Sequence, residues 1–250
     1  MSYYHVPVLL NEIIEYLRPS PGQNFIDATF GGGGYTLALW KHIAPAGKIL
    51  AIDLDADAIG NVKGQLSSVK GLTTHQGNFK DIDKIIRHHN FPAPDGIVAD
   101  IGLSSYQLDQ SGRGITFQKK EVLDMRFDQK SDEPDAKFIL NNYEPKRLEK
   151  IFKDFGEEKF TRQIVRKIIE HRTDNIEHGE IKYTDQLYKI IESALPKPFK
   201  HKASDSARRI FQALRIAVNH ELENLEEFLP KAFDLLKPGG RLAVVSFHSL

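Results

Sequence analysis

The sequence predicts an α/β fold, in which a Rossmann-like, doubly wound parallel sheet carries an all-α insertion between its fourth and fifth strands. Residues 24–57 contain, in order, a short apolar run, a glycine-rich turn, an apolar-periodic segment and a second apolar run, which is the pattern of a βαβ unit. Further short strands are predicted at 72–76, 96–99 and 241–245, and the last two are apolar runs. The region between the last two runs is charged and has helical periodicity without strand-like alternation.

Each element of the N-terminal part has a local reason. The apolar residues between Leu9 and Leu17 share one helical face, and Pro19 and Pro21 end that helix near Arg18. Strands are predicted over residues 25–27, 49–53, 72–76 and 96–99, and the helices between them over residues 35–43, 56–66 and 82–89. This alternation of strands and helices is typical of a parallel sheet.

Four consecutive glycines, residues 31–34, follow the first strand. A plain turn needs only one or two glycines, and each further one adds backbone entropy that folding must overcome. Glycines let the backbone approach a ligand closely, and the open N–H groups of the following helix face the same place. Asp53 stands 20 positions after Gly33, where a carboxylate can accept hydrogen bonds from both hydroxyls of a ribose. We therefore predict a site for a nucleoside-bearing cofactor, with a tight turn without a ligand as the lesser alternative.

The residues around the glycines favour S-adenosylmethionine over NAD. The dinucleotide fingerprint places G-x-G-x-x-G directly after the strand, whereas here Asp27 ends the strand before the glycines. Methyltransferases that use S-adenosylmethionine have D-x-G-x-G-x-G at this place. This chain matches that pattern at Asp27, Gly31 and Gly33 and departs from it at Thr29. An acid at position 27 can hold the ammonium group of a methionine moiety.

Four side chains are expected to converge on one crevice, because ligands of doubly wound sheets bind beyond the carboxyl ends of the strands. They are Asp27, Asp53, Phe79 and Asp100, each of which ends or follows a predicted strand. Phe79 offers a flat face to an adenine ring, and a role as a core aromatic is an equally good interpretation.

The insertion is predicted to cover residues 106–205, which leaves residues 1–105 and 206–250 to the cofactor-binding domain. A basic cluster near its end suits phosphate contacts, with a solvated linker as the alternative for its lysines: Lys197, Lys200, Lys202, Arg208, Arg209 and Arg215, with only Asp205 in acid. One long helix is predicted from Arg208 to about Leu229, packed on the sheet. The fifth strand ends near Val245, so we expect a sheet that is either complete with five strands or lacks its C-terminal elements.

Composition excludes several chemistries. The chain has 34 basic and 34 acidic residues, so a surface for nucleic acid must be local. The first apolar run is interrupted by charges at Glu12 and Glu15, so no signal or membrane segment is expected and we predict a cytoplasmic protein. The absence of cysteine excludes thiolate nucleophiles and Cys-based metal sites. Methylation of a pyrimidine at C5 generally needs a thiolate, so a methyl acceptor is expected to be nitrogen or oxygen. His88 and His89 have no convincing third ligand in sequence, so no metal site is expected.

Stretches that run from His5 to Leu250 resemble the RsmH/MraW family of S-adenosylmethionine-dependent 16S ribosomal RNA methyltransferases. The matching stretches are HVPVLL, DATFGGGGY, AIDLD, DIGLSSYQLD, RGITF, LDMRFD, FGEEKFTRQI, RRIFQALRIAVNHELE and GGRLAVVSFHSL. The resemblance implies a class I methyltransferase fold, a helical insertion that recognises the substrate, and the small ribosomal subunit or its RNA as partner. It also implies methylation of the exocyclic N4 of a cytidine in the decoding region. The family continues past this point with a further helix and two strands.

Carried over by motif, the resemblance implies cofactor contacts by Gly33, Gly34, Tyr35, Asp53, Phe79, Asp100 and Gln107. It assigns Arg113, Asp124 and Arg126 to RNA handling or domain docking, and we add Arg208 and Arg209 as RNA contacts. Three departures from the family pattern are Tyr35 in place of a frequent His, Tyr106 in place of Pro, and Glu121-Val122 in place of Gly-Pro.

The mechanism that we expect is an in-line attack of the cytosine N4 lone pair on the methyl group, with the protein positioning the reactants and excluding water. Acceptors for the N4 protons would help, because that lone pair is delocalised into the ring. The catalytic candidates are Asp100, Ser104 and Ser105, although the two serines could instead satisfy the turn. Two other functions stay open from the residues alone: an NAD-dependent oxidoreductase on the same βαβ unit, and a nonenzymatic ribosome- or RNA-binding protein that retains the cofactor fold.

Overall fold

The computed structural model describes residues 7–63, 66, 69–104, 107–108, 111–173 and 179–246. The chain forms two compact units, Met1–Ser104 with Glu221–Leu250, and Ser105–His220. The sequence-based division had placed its second boundary after residue 205, whereas the observed units divide after residue 220.

The first unit is built on a five-stranded sheet. Its strands are β1 (Asn24–Asp27), β2 (Lys48–Asp53), β3 (Leu72–Gln76), β4 (Gly96–Ile101) and β5 (Arg241–Ser246). Their order is β3-β2-β1-β4-β5, and every neighbouring pair is parallel. The predicted doubly wound parallel sheet is therefore confirmed. The strand order reverses between β1 and β4, and such a switch point is where open α/β sheets bind ligands.

Helices are numbered along the whole chain. They are α1 (Leu10–Leu17), α2 (Gly34–Ile43), α3 (Ala56–Lys63), α4 (Ile82–His88), α5 (Ala136–Asn142), α6 (Pro145–Asp154), α7 (Thr161–Thr173), α8 (Thr184–Ala194), α9 (Ala203–Asn219) and α10 (Glu221–Leu235). Two short 3-10 helices, Phe79–Asp81 and Lys197–Lys202, precede α4 and α9. Among the described helices, none has both the length and the apolar run that crossing a bilayer would require.

The core of the first unit lies on both faces of the sheet. Successive strand residues point to opposite faces, so Ile26 packs in a cluster with Phe228 of α10 while its neighbour Phe25 packs in a cluster with Leu39 of α2. Burial on both faces explains why β2 and β4 are largely continuous apolar runs rather than alternating ones.

The second unit is helical except at its beginning. Residues 111–135 form no helix, so the prediction of a helical insertion is wrong for that segment. Positive φ angles at Gly112, Gly114 and Met125 interrupt any regular helix there. Farther along, α9 packs against α5, α6 and α8, which explains why it belongs to this unit.

The predicted single long helix is two helices. His220 ends α9 in a left-handed conformation, with φ 51° and ψ 40°, and its N–H bonds to the carbonyl of Ile216. The apolar stripe continues on both sides of this break because each helix buries an apolar face. The helical periodicity of the sequence therefore does not show where the first helix ends.

Candidate functional site

Three carboxylates mark the carboxyl end of the sheet at the switch point. Asp27 and Asp53 are the last residues of β1 and β2. Asp100 is the second-last residue of β4, whereas the sequence predicted that the strand would end before it. Asp27 is in register with Ala51 of β2 and Val98 of β4. Asp53 and Asp100 therefore lie on the strands that flank Asp27, each two residues farther along and on the same face of the sheet.

The glycine turn is tied to the second of these acids. The N–H of Gly31 donates to Asp53 Oδ2 at 2.7 Å, and the N–H of Asp55 donates to Asp53 Oδ1 at 2.8 Å. Gly31 and Gly33 have φ angles of 49° and 75°, which favour glycine. A Cβ at Gly31 would have only ordinary contacts, and one at Gly32 would meet nothing within 4 Å. There is thus open space beside the loop.

Asp27 forms hydrogen bonds with Thr36 inside the protein. Its side chain is fully buried, and Oδ2 accepts the Thr36 hydroxyl at 2.7 Å and the Thr36 N–H at 3.1 Å. Thr36 lies in the first turn of α2, so Asp27 satisfies a backbone donor that the helix start would leave open. Burial raises the pKa of Asp27 to about 6, although the Thr36 hydrogen bonds oppose the rise. Asp27 Oδ1 is buried and accepts no hydrogen bond from the described residues, and the expected role of Asp27 in holding a methionine ammonium group stays a prediction.

Asp53 and Asp100 also have acceptor capacity left. Burial raises the pKa of Asp53 to about 6 against the opposing effect of the Asp55 and Gly31 amides. Burial likewise raises the pKa of Asp100 to about 6. Asp100 Oδ1 is buried and accepts no hydrogen bond from the described residues, which costs free energy unless a donor arrives.

Thr29, which departs from the glycine pattern, has a structural role. Its hydroxyl accepts the N–H of Asp100 at 2.6 Å and so links the end of β1 to β4. Ser104 lies near the glycine loop, since a Cβ built on Gly31 would be 3.8 Å from Ser104 Cβ. Ser105, the other predicted catalytic serine, lies outside the described residues.

Tyr35 points its side chain into the protein. The ring is buried in the cluster that contains Leu39, and the hydroxyl donates to the carbonyl of Val8. Burial, together with Asp100 and other nearby acids, raises the pKa of Tyr35. Gly33, Gly34 and Tyr35 are the N-cap and first residues of α2. The Gly33 N–H already donates to the carbonyl of Phe30 at 2.7 Å, so the N–H groups of Gly34 and Tyr35 are the ones suited to a ligand.

Phe79 is in part a core aromatic. Its ring packs edge-to-face on Phe228 of α10 with a centroid separation of 5.2 Å, at the margin of a core cluster. The residue is only half-buried. One part of the ring is therefore a core contact, and the adenine-flanking role stays a prediction.

The predicted site residues in the second unit hold its irregular segment together. Gln107 is buried and its carbonyl accepts the Ser111 hydroxyl at 2.6 Å. Arg113 is buried and donates to the carbonyl of Phe127 at 3.1 Å.

Asp124 and Arg126 form a two-pronged ion pair with N–O distances of 2.7 and 3.1 Å. Partial burial works against this ionised form, but the Arg126 hydrogen bonds outweigh it and lower the pKa of Asp124. Arg126 also donates to the carbonyl of Ser131. The structure thus gives these two residues internal partners within the unit.

The two adjacent arginines of α9 have partners that differ in burial. Arg208 is exposed and pairs with the equally exposed Asp205 at 3.1 Å. Arg209 donates to Glu158 Oε2 at 2.8 Å, and the Glu158 side chain is 0% exposed. Sequence reasoning missed Glu158, and it also missed Asn219, whose amide bonds both to Phe127 N–H and to Met125 carbonyl. No local sequence pattern predicts the contacts of Glu158 or of Asn219.

A histidine group lies on the first unit. His75 Nδ1 and His89 Nε2 are 3.0 Å apart, and the ring of His88 packs against both. Partial burial and the neighbouring rings lower the pKa of His75 and of His89. Over the described ranges, no set of three or more His, Cys, Asp or Glu side chains has an arrangement that could hold a metal ion.

Comparison with known proteins gives consistent matches. A family model described as the MraW methylase family matches residues 2–250. The ribosomal RNA small subunit methyltransferase H of Halothermothrix orenii is 42% identical over 246 residues, which are 98% of this chain and 78% of that protein. Proteins of the same name from Desulfosudis oleivorans and Clostridium botulinum strain Loch Maree are 41% and 38% identical; each match covers 100% of this chain and 79% of the relative. An rRNA methylase structure from Streptococcus thermophilus is 15% identical with a TM-score of 0.33, over 48% of this chain and 72% of its own.

Proposed function

This chain belongs to the MraW methylase family, and we propose that it transfers a methyl group from S-adenosylmethionine to the exocyclic N4 of a cytidine in the decoding region of 16S ribosomal RNA. The observation that carries the proposal is the glycine loop at the sheet's switch point, flanked by Asp53 and Asp100 on neighbouring strands. A ribosomal RNA substrate implies a cytoplasmic enzyme that works on the small subunit or its RNA.

The residues present suit S-adenosylmethionine. Each oxygen of Asp53 accepts one backbone N–H and, with two lone pairs on each oxygen, can still accept a ribose hydroxyl. The backbone N–H groups at the start of α2 and the open space beside Gly32 can receive the rest of the nucleoside. The half-buried ring of Phe79 offers an apolar edge for the adenine. No thiolate is available in this sequence, which favours a nitrogen acceptor over pyrimidine C5.

When bound, S-adenosylmethionine supplies a methyl group made electrophilic by its sulfonium, and the sulfur leaves as a neutral thioether. The protein's own task is then to handle the acceptor nitrogen, which carries a surplus proton once it has gained the methyl group. Asp100 suits that task, because its buried Oδ1 lacks a donor and its pKa is raised to about 6. At pH 7 such a carboxylate is mostly ionised and still basic enough to accept a proton. Ser104, close to the glycine loop, can help to orient the acceptor.

Methyl transfer can be tested on the purified chain with labelled S-adenosylmethionine and unmodified small subunits, with nucleoside mass spectrometry of the product. Transfer to N4 of a cytidine is expected, and a methyl group found only on carbon or on another base would refute the proposal. Calorimetry should detect binding of S-adenosylmethionine and none of NAD.

Two variants separate binding from chemistry. Asp53→Ala should weaken the binding of S-adenosylmethionine, whereas Asp100→Asn should retain binding and lower kcat, with Asp234→Asn on the exposed face of α10 as the control. Because its pKa is about 6, Asp100 is ionised above that pH, so kcat should fall as the pH drops below 6. Unimpaired transfer by both variants would remove both assigned roles.

A further inference from the structure

An exposed cationic segment of the second unit surrounds an aromatic ring. The 3-10 helix Lys197–Lys202 has the sequence KPFKHK, and each of its residues is exposed. At its centre, Phe199 is 39% exposed. The ring gives this cationic segment a flat apolar surface that its lysines alone would not provide.

The ring is nevertheless fixed in place. Its centroid lies 5.1 Å from that of Phe160, with an angle of 51° between the two rings. The amide of Phe199 also donates to the carbonyl of Pro196 at 2.8 Å. Phe160 precedes α7, so the exposed ring is supported by a neighbouring element rather than carried on a free loop. A supported ring loses little entropy when another flat group stacks on it.

The charges around the ring are uncompensated. In the described portion of the chain, Lys197 and Lys200 have no ion-pair partner, and Lys202 Nζ lies 5.8 Å from the Phe199 centroid. Lys159 and Arg162, next to Phe160 in the sequence, are exposed as well. This contrasts with Arg208, whose charge is already matched by Asp205.

We propose that Phe199 and the lysines of the segment Lys197–Lys202 form a binding site for single-stranded RNA. An unpaired base stacks on the exposed part of the Phe199 ring, and the adjacent phosphates lie against Lys197, Lys200 and Lys202. A flat ring inside a cationic surface is the combination by which proteins hold single strands without reading their sequence. An acidic protein would use the charges but leave the ring without a role. The choice of RNA as ligand rests on the proposed function, since a ribosomal RNA methylase must hold a nucleotide unstacked from its neighbours.

The site can be tested by fluorescence anisotropy with a short, labelled single-stranded RNA of mixed sequence and the full chain. Phe199→Leu removes the flat ring while keeping an apolar contact for Phe160, and it should weaken binding roughly 5- to 150-fold, as expected for the loss of one stacked base. Phe199→Trp keeps a stacking face and should bind at least as well as the wild type. Phe138→Leu is the matched control, because Phe138 is an exposed phenylalanine of the same unit, on α5, with 47% exposure against 39% for Phe199. Circular dichroism melting establishes that each variant is folded.

The charges are tested separately. Lys200→Gln should lower the slope of log affinity against log salt by about 0.7, the value for one lost contact to a single strand. The same change at Lys48, at the start of β2, should leave the slope unaltered. Equal binding by Phe199→Leu and the wild type, or an equal loss in Phe138→Leu, would overturn the proposal. Competition by polyglutamate that matches competition by RNA would also overturn it, in favour of an acidic protein partner.

The outcome for this site is distinguishable from that of the methylation proposal. If the wild type methylates RNA and Phe199→Leu binds RNA normally, the stacking site is wrong and the methylation proposal stands. If the wild type binds RNA through Phe199 but transfers no methyl group, the methylation proposal fails and the site stands.

Discussion

Replacing Arg209 by alanine should destabilise the protein, whereas the same change at its neighbour Arg208 should have almost no effect. The two arginines are adjacent on α9, but their partners differ in burial. Glu158, the partner of Arg209, has a side chain that is 0% exposed, and Arg209 itself is 34% exposed. Arg208 and Asp205 are 71% and 56% exposed.

The magnitudes follow from these environments. Removing one member of a buried ion pair typically costs about 3–5 kcal/mol, because the other charge is left buried and unpaired. Arg209 is about a third exposed, and Phe160 N–H still donates to Glu158 Oε1 at 2.8 Å, so we expect about 2–3 kcal/mol for Arg209→Ala. For Arg208→Ala, an exposed pair predicts roughly 0–1 kcal/mol.

Urea denaturation monitored by circular dichroism would measure both values, and a double-mutant cycle would locate their cause. Glu158→Gln removes the buried charge but keeps an acceptor for Phe160 N–H. In that background Arg209→Ala should cost less than about 1 kcal/mol, since no unpaired charge remains. If Arg208→Ala and Arg209→Ala agree within about 0.5 kcal/mol, the internal role of Arg209 is refuted and its earlier assignment to RNA regains support.

Two further predictions concern the glycine loop and its neighbouring acid. Gly33 has φ 75°, so Gly33→Ala should destabilise the fold by about 1–2 kcal/mol through left-handed backbone strain. The added Cβ of Gly32→Ala meets nothing within 4 Å, so that variant should preserve the fold. Equal melting temperatures of the two variants would contradict this prediction. Burial raises the pKa of Asp27 to about 6, so the folded state binds a proton at this carboxyl more tightly than the unfolded state does. The contribution of Asp27 to the free energy of unfolding therefore rises as the pH falls from about 6 toward the pKa that this group has in the unfolded chain. Relative to Asp27→Asn, the free energy of unfolding of the wild type should increase by about 1.4 kcal/mol between about pH 7.5 and pH 5, and a difference independent of pH in urea denaturation would show the reasoning to be wrong.

The sheet was predictable because its signals are local. β2 and β4 are largely apolar runs because they are buried on both faces. β3 was predicted with the bounds that it has, Leu72–Gln76, although its residues are partly buried or exposed. The glycine turn between β1 and α2 was equally visible, since positive φ angles at Gly31 and Gly33 demand that residue type. Parallel pairing then brings the carboxyl ends of the strands to one edge without further information.

The parts that were missed depend on contacts between residues distant in sequence. Glu158 and Arg209 are 51 positions apart, and the bonds of Asn219 reach back 92 and 94 positions. The break at His220 is set by the packing of two separate helices, and the apolar period passes through it unchanged. Asp27 and Asp53 also look alike in sequence, although Asp27 bonds to Thr36 of α2 inside the core and Asp53 accepts the N–H groups of Gly31 and Asp55.

This difference between the acids leads to a last prediction, that binding of S-adenosylmethionine releases protons near pH 6. In the free protein, burial holds the pKa of Asp53 at about 6, so about half of these carboxyls are protonated at that pH. A ligand that donates ribose hydroxyls to the carboxylate favours its ionised form and lowers its pKa. Affinity should therefore rise with pH up to about 6 to 7 and then level off.

Calorimetry at pH 6 in two buffers of different ionisation enthalpy would measure the number of protons released. We expect up to about half a proton from Asp53, because about half of these carboxyls are protonated at that pH, and none from this position in Asp53→Asn. Asp27 should contribute little, because its acceptor Oδ2 is already bonded to Thr36 inside the core. Proton uptake on binding, or an equal release from the wild type and Asp53→Asn, would mean that the ligand's hydroxyls are held elsewhere.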